Sequence, residues 1–209
     1  MKFKFHLLIA FLILAFLAGS CRFSGYTAFH KVTPKLSKPT VFSPDFSKAL
    51  YKTELSLYGR TITGVTIIKK VDGGYQLAMV SEVGLKYFEL FFQGDSAIAE
   101  TKYLMPVLDR KPVKEALISS LGLLFSEANY NAHTRLKVNE TKKTVLLINK
   151  EKGSRISYYY DPVSGEVDQM KQNRFFGSKT TIKMSAYKKD APGSIMVYRG
   201  KISMHFQRL

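Results

Sequence analysis

The chain has one cysteine, Cys21, and no tryptophan. A single thiol cannot close an intrachain disulfide, so no covalent staple can hold the fold. Histidine is sparse as well. His6, His30, His133 and His205 stand apart from one another, without the His-x-x-x-His or carboxylate-paired spacing that binds a metal. The sequence contains no Gly-x-Ser-x-Gly elbow, no phosphate loop and no dinucleotide fingerprint. Its carboxylates are dispersed: Asp161 and Glu166 flank a Pro/Gly turn, and Asp109 stands where an N-terminal helix cap is expected. Nothing here asks for an enzyme, a metal or a bound cofactor, and the expectation is a non-catalytic protein. Acids are half as numerous as bases, 16 against 32, which leaves a net charge of +16.

Long apolar runs are missing too, with one exception. Lys2 and Lys4 precede an unbroken apolar stretch from Leu7 to Leu17, well short of the roughly 20 residues needed to cross a bilayer. A basic start, an apolar centre and the small residues Ala18-Gly19-Ser20 have the layout of a secretory signal, so residues 1–20 are expected to be removed. Cys21 follows at once. Leu17-Ala18-Gly19-Ser20-Cys21 resembles the lipobox of bacterial lipoproteins, with Ala18 where that box usually has Leu. The resemblance implies a diacylglyceryl thioether on Cys21 and cleavage before it. An ordinary signal peptide would leave a lone, oxidisable thiol with no role. Two or more acyl chains anchor a protein stably where one does not. The residue after the cysteine is Arg22 rather than Asp. By the lipoprotein sorting rule this implies the outer membrane, and the lack of an acidic surface-export tag after Cys21 points to the periplasmic face.

With the signal removed, about 190 residues remain, enough for one domain with a real core. The charge remains +14 once Lys2 and Lys4 are gone. For an exported, lipid-tethered protein the partner this suggests is an anionic headgroup layer, worth roughly 1 kcal/mol per close cation, and not a nucleic acid. Lysines that simply keep a β-rich protein soluble are the equal alternative, because the charge is spread along the strands.

From Arg22 to about Ser47 the chain is rich in Ser, Thr and Lys and carries Pro34, Pro39 and Pro44, so residues 21–47 read as a lipidated cysteine and an extended tether. Stretched, it would reach on the order of 60 Å. Phe42, Phe46 and Leu50 fall at helical spacing and suggest a short closing helix. Residues 48–209 then change to period two, broken by turn signals such as Asp72-Gly73-Gly74, Val83-Gly84 and Asp161-Pro162-Val163-Ser164-Gly165. Five strands are expected before one helix over 111–125, on which Val113, Leu117, Leu121 and Leu124 share a face. Further strands follow, and the last stretch is expected as one strand or as two bent at Gly200. The expected fold is mainly β: an open antiparallel sheet of about ten or eleven strands, covered by one or more helices.

Leu77 and Met79 alternate along one strand, and Phe88, Leu90 and Phe92 along the next, so each set shares a face. With the helix laid across that face, these five and Val113, Leu117, Leu121 and Leu124 would line either a packed core or a pocket for acyl chains.

The segment Tyr75-Gln76-Leu77-Ala78-Met79-Val80-Ser81-Glu82-Val83-Gly84-Leu85-Lys86-Tyr87-Phe88-Glu89-Leu90, with Gly64-Val65, the helix over 111–125 and the closing Gly200-Lys201-Ile202-Ser203-Met204-His205-Phe206, resembles the LolA/LolB family of lipoprotein carriers and receptors. The resemblance implies an open half-barrel whose apolar concave side is covered by helices and receives the acyl chains of lipoproteins or other lipids. It also implies that an apolar side chain protrudes from the turn between two strands and helps deliver lipoproteins to the membrane. By position that residue is Val83, with Glu82 where the family has Pro. Two other readings stay open: an envelope scaffold with a filled core that binds a protein partner, and a hydrolase with a dispersed site.

Overall fold

A computed structural model describes residues 37–94, 99–126, 128, 134–139, 144–151, 153–174 and 177–209. The signal segment, Cys21 and the tether up to residue 36 lie outside the described residues. Twelve strands form one antiparallel sheet: β1 (Lys48–Leu57), β2 (Arg60–Val71), β3 (Gly74–Val80), β4 (Lys86–Gln93), β5 (Ala99–Leu104), β6 (Arg135–Asn139), β7 (Thr144–Glu151), β8 (Ser154–Tyr160), β9 (Val167–Arg174), β10 (Thr180–Ser185), β11 (Ser194–Arg199) and β12 (Ile202–Arg208). Helix α1 (Lys111–Phe125) falls between β5 and β6. The stretch expected as one or two final strands is two, β11 and β12, joined through a tight turn at Gly200, whose φ is +59°.

The order across the sheet is β5-β4-β3-β2-β1-β12-β11-β10-β9-β8-β7-β6. Every sequential neighbour pairs except β5 and β6, and the first strand pairs with the last. The sheet is therefore a meander opened at one seam, with its two edges joined by the segment that carries α1. Short turns between twisted strands dictate antiparallel neighbours, and the alternating pattern dictates which face turns inward. On β1, β3 and β4 every second residue is buried. The inward residues and one side of α1 form a single core cluster. Gly64 of β2 lies so close to the Val80 carbonyl that a Cβ there would collide with it, which places the end of β3 tightly against its neighbour just before the next hairpin.

The end of the sheet at which β1 begins is termed the upper rim here and the other end the lower rim. Helix α1 starts near the lower rim, after β5, and ends at the upper. Pro112 lies in its first turn, where its fixed φ suits the helix. Arg110, not Asp109, is the N-cap, and it makes no side-chain cap bond. Asp109 instead accepts from Lys114 Nζ at 2.8 Å. At the other end Ser126 is extended, and its hydroxyl donates to the Leu123 carbonyl at 2.8 Å, which ends the helix.

Residues 37–47 are packed on the domain. Val41, Phe42 and Phe46 are buried in the core cluster. The Thr40 and Ser43 N–H groups donate to the carbonyls of Gly165 and Asp190, both at 2.9 Å. No helix forms at Phe42–Leu50. The chain there bends and turns, and the strand starts at Lys48. Proline spacing hid this strap, because apolar anchors and backbone bonds to two upper-rim loops supply what regular structure does not.

Candidate functional site

The residues singled out on β3, β4 and α1 come together. Leu77, Met79, Leu90, Phe92, Leu117 and Leu121 are fully buried; Phe88, Val113 and Leu124 are nearly so, and all belong to the core cluster. They face one another across the concave side, as period two on the strands and the helical stripe require. Their side chains point into the space between sheet and helix.

A cavity of about 370 Å³ lies beyond them, at the upper rim, where α1 ends. One wall is the strap, Lys38 to Pro44. The other is Tyr75, Leu124, Phe125, Ser126, Tyr158 and Val167. Leu124 is thus the one predicted lining residue that reaches it. The others sit deeper. Phe125 stacks on Phe42 at a centroid distance of 5.5 Å, on Tyr75 at 4.7 Å and on Phe92 at 5.1 Å. Phe42 also meets Phe46 at 4.7 Å. Ring pairs in this geometry add about 0.5–1.5 kcal/mol each beyond the apolar area they bury. The cavity also carries hydroxyls: Ser126 Oγ and Tyr158 OH lie 3.4 Å apart at its wall.

Phe42, Phe125, Tyr75 and Val41 escaped the sequence reading. One signal for them was present. The last turn of α1 reads Leu121-Gly122-Leu123-Leu124-Phe125 and is apolar on all sides, and a helix end of that kind must be covered all round. The strap provides the cover on the side away from the sheet.

Val83 sits at the lower rim, on the turn between β3 and β4, and is 82% exposed. Leu85 beside it is 58% exposed. The turn is rigid. Ser81 N–H donates to the Leu85 carbonyl at 2.8 Å, the Leu85 N–H returns to Ser81 Oγ at 2.9 Å, and Gly84 takes a φ of +84°. Met105 N–H donates to the Tyr87 carbonyl at 2.8 Å, so the loop after β5, with exposed Val107, lies alongside. Arg110, Lys111 and Lys114 begin the helix on the same rim.

Three ionisable groups show the local field. Glu89, on the outer face of β4, is held below the ordinary glutamate value, first by its bond from Lys86 and then by that from Gln76 Nε2 at 2.8 Å. Burial raises Tyr51, whose hydroxyl donates to the Pro192 carbonyl at 2.9 Å, to about 12. Burial, with the Asp161 charge second, raises Asp168. Glu89 stands apart from the other two, which both lie close enough to Tyr187 to act on its hydroxyl. Among the described residues no cluster of three or more His, Cys, Asp or Glu side chains is placed to hold a metal. Among the same residues no helix is long and apolar enough to cross a membrane.

Compared with models of known protein families and with curated proteins, the chain matches none.

Proposed function

We propose that this protein is a non-catalytic lipoprotein, anchored through lipid on Cys21 to the periplasmic face of the outer membrane, that binds one apolar ligand in the upper-rim cavity. The ligand class is a lipid or the acyl chain of a lipoprotein. The observation that carries this reading is the 370 Å³ space where the buried end of α1 meets the strap, walled by aromatic rings and by hydroxyls. It falls within the range of about 300–1,000 Å³ common for small-molecule sites, which pair apolar walls with a few polar groups. An acyl chain would lie along Phe42, Phe125 and Tyr75, and its ester or carboxylate end would reach Ser126 and Tyr158. The strap continues toward Cys21, so the anchor would hold this rim within reach of headgroups. The turn at Val83 would serve delivery as in the LolA/LolB family, with Leu85 and Val107 adding apolar surface and the neighbouring cations adding attraction to anionic lipid.

The purified protein should take up a fluorescent fatty-acyl probe and release it when phospholipid or an acylated peptide is added. No uptake by a folded sample would sink the proposal.

One observation favours a second reading, an envelope scaffold that binds a protein partner. Of the nine residues expected to line a pocket on β3, β4 and α1, all but Leu124 belong to the core cluster without lining the cavity. That reading expects no probe uptake and a stable complex with an envelope protein.

A further inference from the structure

At the lower rim the concave face changes character. Arg199, the last residue of β11, shares the inward face with Ile195 and Val197. It is half-buried between the sheet and α1. Its Nη1 donates to Ser119 Oγ of the helix at 2.6 Å and to Thr180 Oγ1 of β10 at 3.3 Å. Ser119 in turn donates to the Glu115 carbonyl at 2.6 Å, so its oxygen is turned to accept from the guanidinium. These partners are neutral hydroxyls. Among the described residues Arg199 forms no ion pair. The nearest acid acting on it is Glu115, exposed on the helix and beyond ion-pair reach.

A second cation faces it. Arg174 ends β9, and its charge disfavours that of Arg199. Thr180 of β10 pairs in register with Arg199 on one side and with Gln172 on the other, while Arg174 pairs with Ser154 of β8. Strands β9 and β11 flank β10, and Arg174 lies two residues beyond Gln172, which sets the two arginine backbones about 12 Å apart. One hydroxyl that could donate, Ser120 Oγ next to Ser119 on the helix, is buried without a partner among the described residues.

A half-buried guanidinium is costly when no anion offsets it, and a second cation beside it raises that cost. Among the described residues neither Arg174 nor Arg199 meets a carboxylate, yet the bonds from Nη1 fix one arm of the Arg199 fork. Its other donors, on Nη2 and Nε, have no partner among the described residues. A guanidinium with open donors and a second arginine nearby in the sheet register, with the Thr180 hydroxyl and the Gln172 NH2 group between them, suit a planar or tetrahedral oxyanion, which accepts several hydrogen bonds at once. We infer that Arg199 and Arg174, with Thr180 and Gln172 between them, form a binding site for a phosphate group at the lower mouth of the concave face. The phosphate is carried either by a phospholipid headgroup or by a free oxyanion. The site is independent of the upper cavity and stands whether or not that cavity takes an acyl chain.

Titration calorimetry on the full chain at constant ionic strength tests it, with inorganic phosphate as the probe and chloride as the control. Phosphate should bind where chloride does not. Arg174 is exposed and makes no ion pair among the described residues, so Arg174→Gln leaves the fold intact and should weaken phosphate about tenfold or more. Arg199→Lys keeps the charge but loses the fork, and it should weaken phosphate as well. Flotation with phosphatidylglycerol vesicles against phosphatidylcholine vesicles separates the sources. Selective binding that Arg174→Gln reduces assigns the headgroup, and phosphate binding lost without change at vesicles assigns the free anion. Phosphate heats equal to those of chloride, or an affinity unchanged in both variants, would overturn the site.

Discussion

The two ends of the concave face are closed by different physics. At the upper rim the strap lays Phe42 on Phe125 at the end of α1, and stacked rings form part of the wall of the 370 Å³ cavity. At the lower rim the same helix is held to the sheet by Arg199 through hydroxyls, with an uncompensated charge nearby. Apolar burial is non-directional and scales with area, so it closes a rim firmly and leaves whatever space the rings do not fill. Hydrogen bonds to a half-exposed cation are directional and individually weak, and they leave the rim open to a polar ligand. One helix thus presents an apolar pocket at one end and a cationic notch toward the other.

The contrast can be broken most forcefully at the upper rim. Phe125→Ala removes the ring against which Phe42, Tyr75 and Phe92 pack, and it should cost about 3–5 kcal/mol in urea unfolding. Ser119→Ala at the lower rim removes only the acceptor for Arg199, whose head can still meet water, and the same measurement should fall by about 1 kcal/mol. If both variants lose the same amount, the two rims are not held differently.

A pH series gives a smaller effect and one with opposite signs. The folded-state pKa of Glu89 is depressed by Lys86 and Gln76. Its contribution is therefore present above the unfolded value and lost as pH falls through the folded one. The folded-state pKa of Asp168, near the upper rim, is raised by burial and by Asp161. Its contribution is present below the unfolded value and lost as pH rises through the folded one. Denaturation midpoints across the acid range should therefore flatten at the acid end in Glu89→Gln and rise toward neutral pH in Asp168→Asn.

The smallest change in stability is expected at the exposed turn. Val83→Glu should leave the urea midpoint within about 0.5 kcal/mol, because the side chain touches little. Lipoprotein delivery to vesicles should fall nonetheless. Unchanged delivery would remove the role assigned to this turn.

Much of the strand pattern was legible because period two is written residue by residue. Leu77, Met79, Phe88, Leu90 and Phe92 alternate with polar or half-buried neighbours, and turns such as Asp72-Gly73 separate the strands. The helix was legible from its stripe for the same reason. The strap was not. Val41, Phe42 and Phe46 sit among Ser, Thr and Pro, the helical spacing of Phe42 and Phe46 pointed to an element that does not form, and their burial depends on the loops at 161–166 and 186–193, far away in sequence. The Arg199 site was equally hidden. Its members come from α1, β9, β10 and β11 and are gathered only by sheet register, and an arginine at the end of a strand ordinarily points to water.

Local chemistry in the sequence alone determined the turns, the alternation, the single amphipathic helix and the absence of any metal or nucleophile motif, because each depends on residues a few positions apart. It also holds the Cys21 signal from which an anchor is inferred. The joining of the two halves of the sheet through β1 and β12, the capping of α1 by the strap and the bonds of Arg199 to α1 and β10 were decided by the tertiary structure. The reason is that cavities and charge pairs are properties of distances between segments, and a one-dimensional pattern does not encode which distant segments will share a surface.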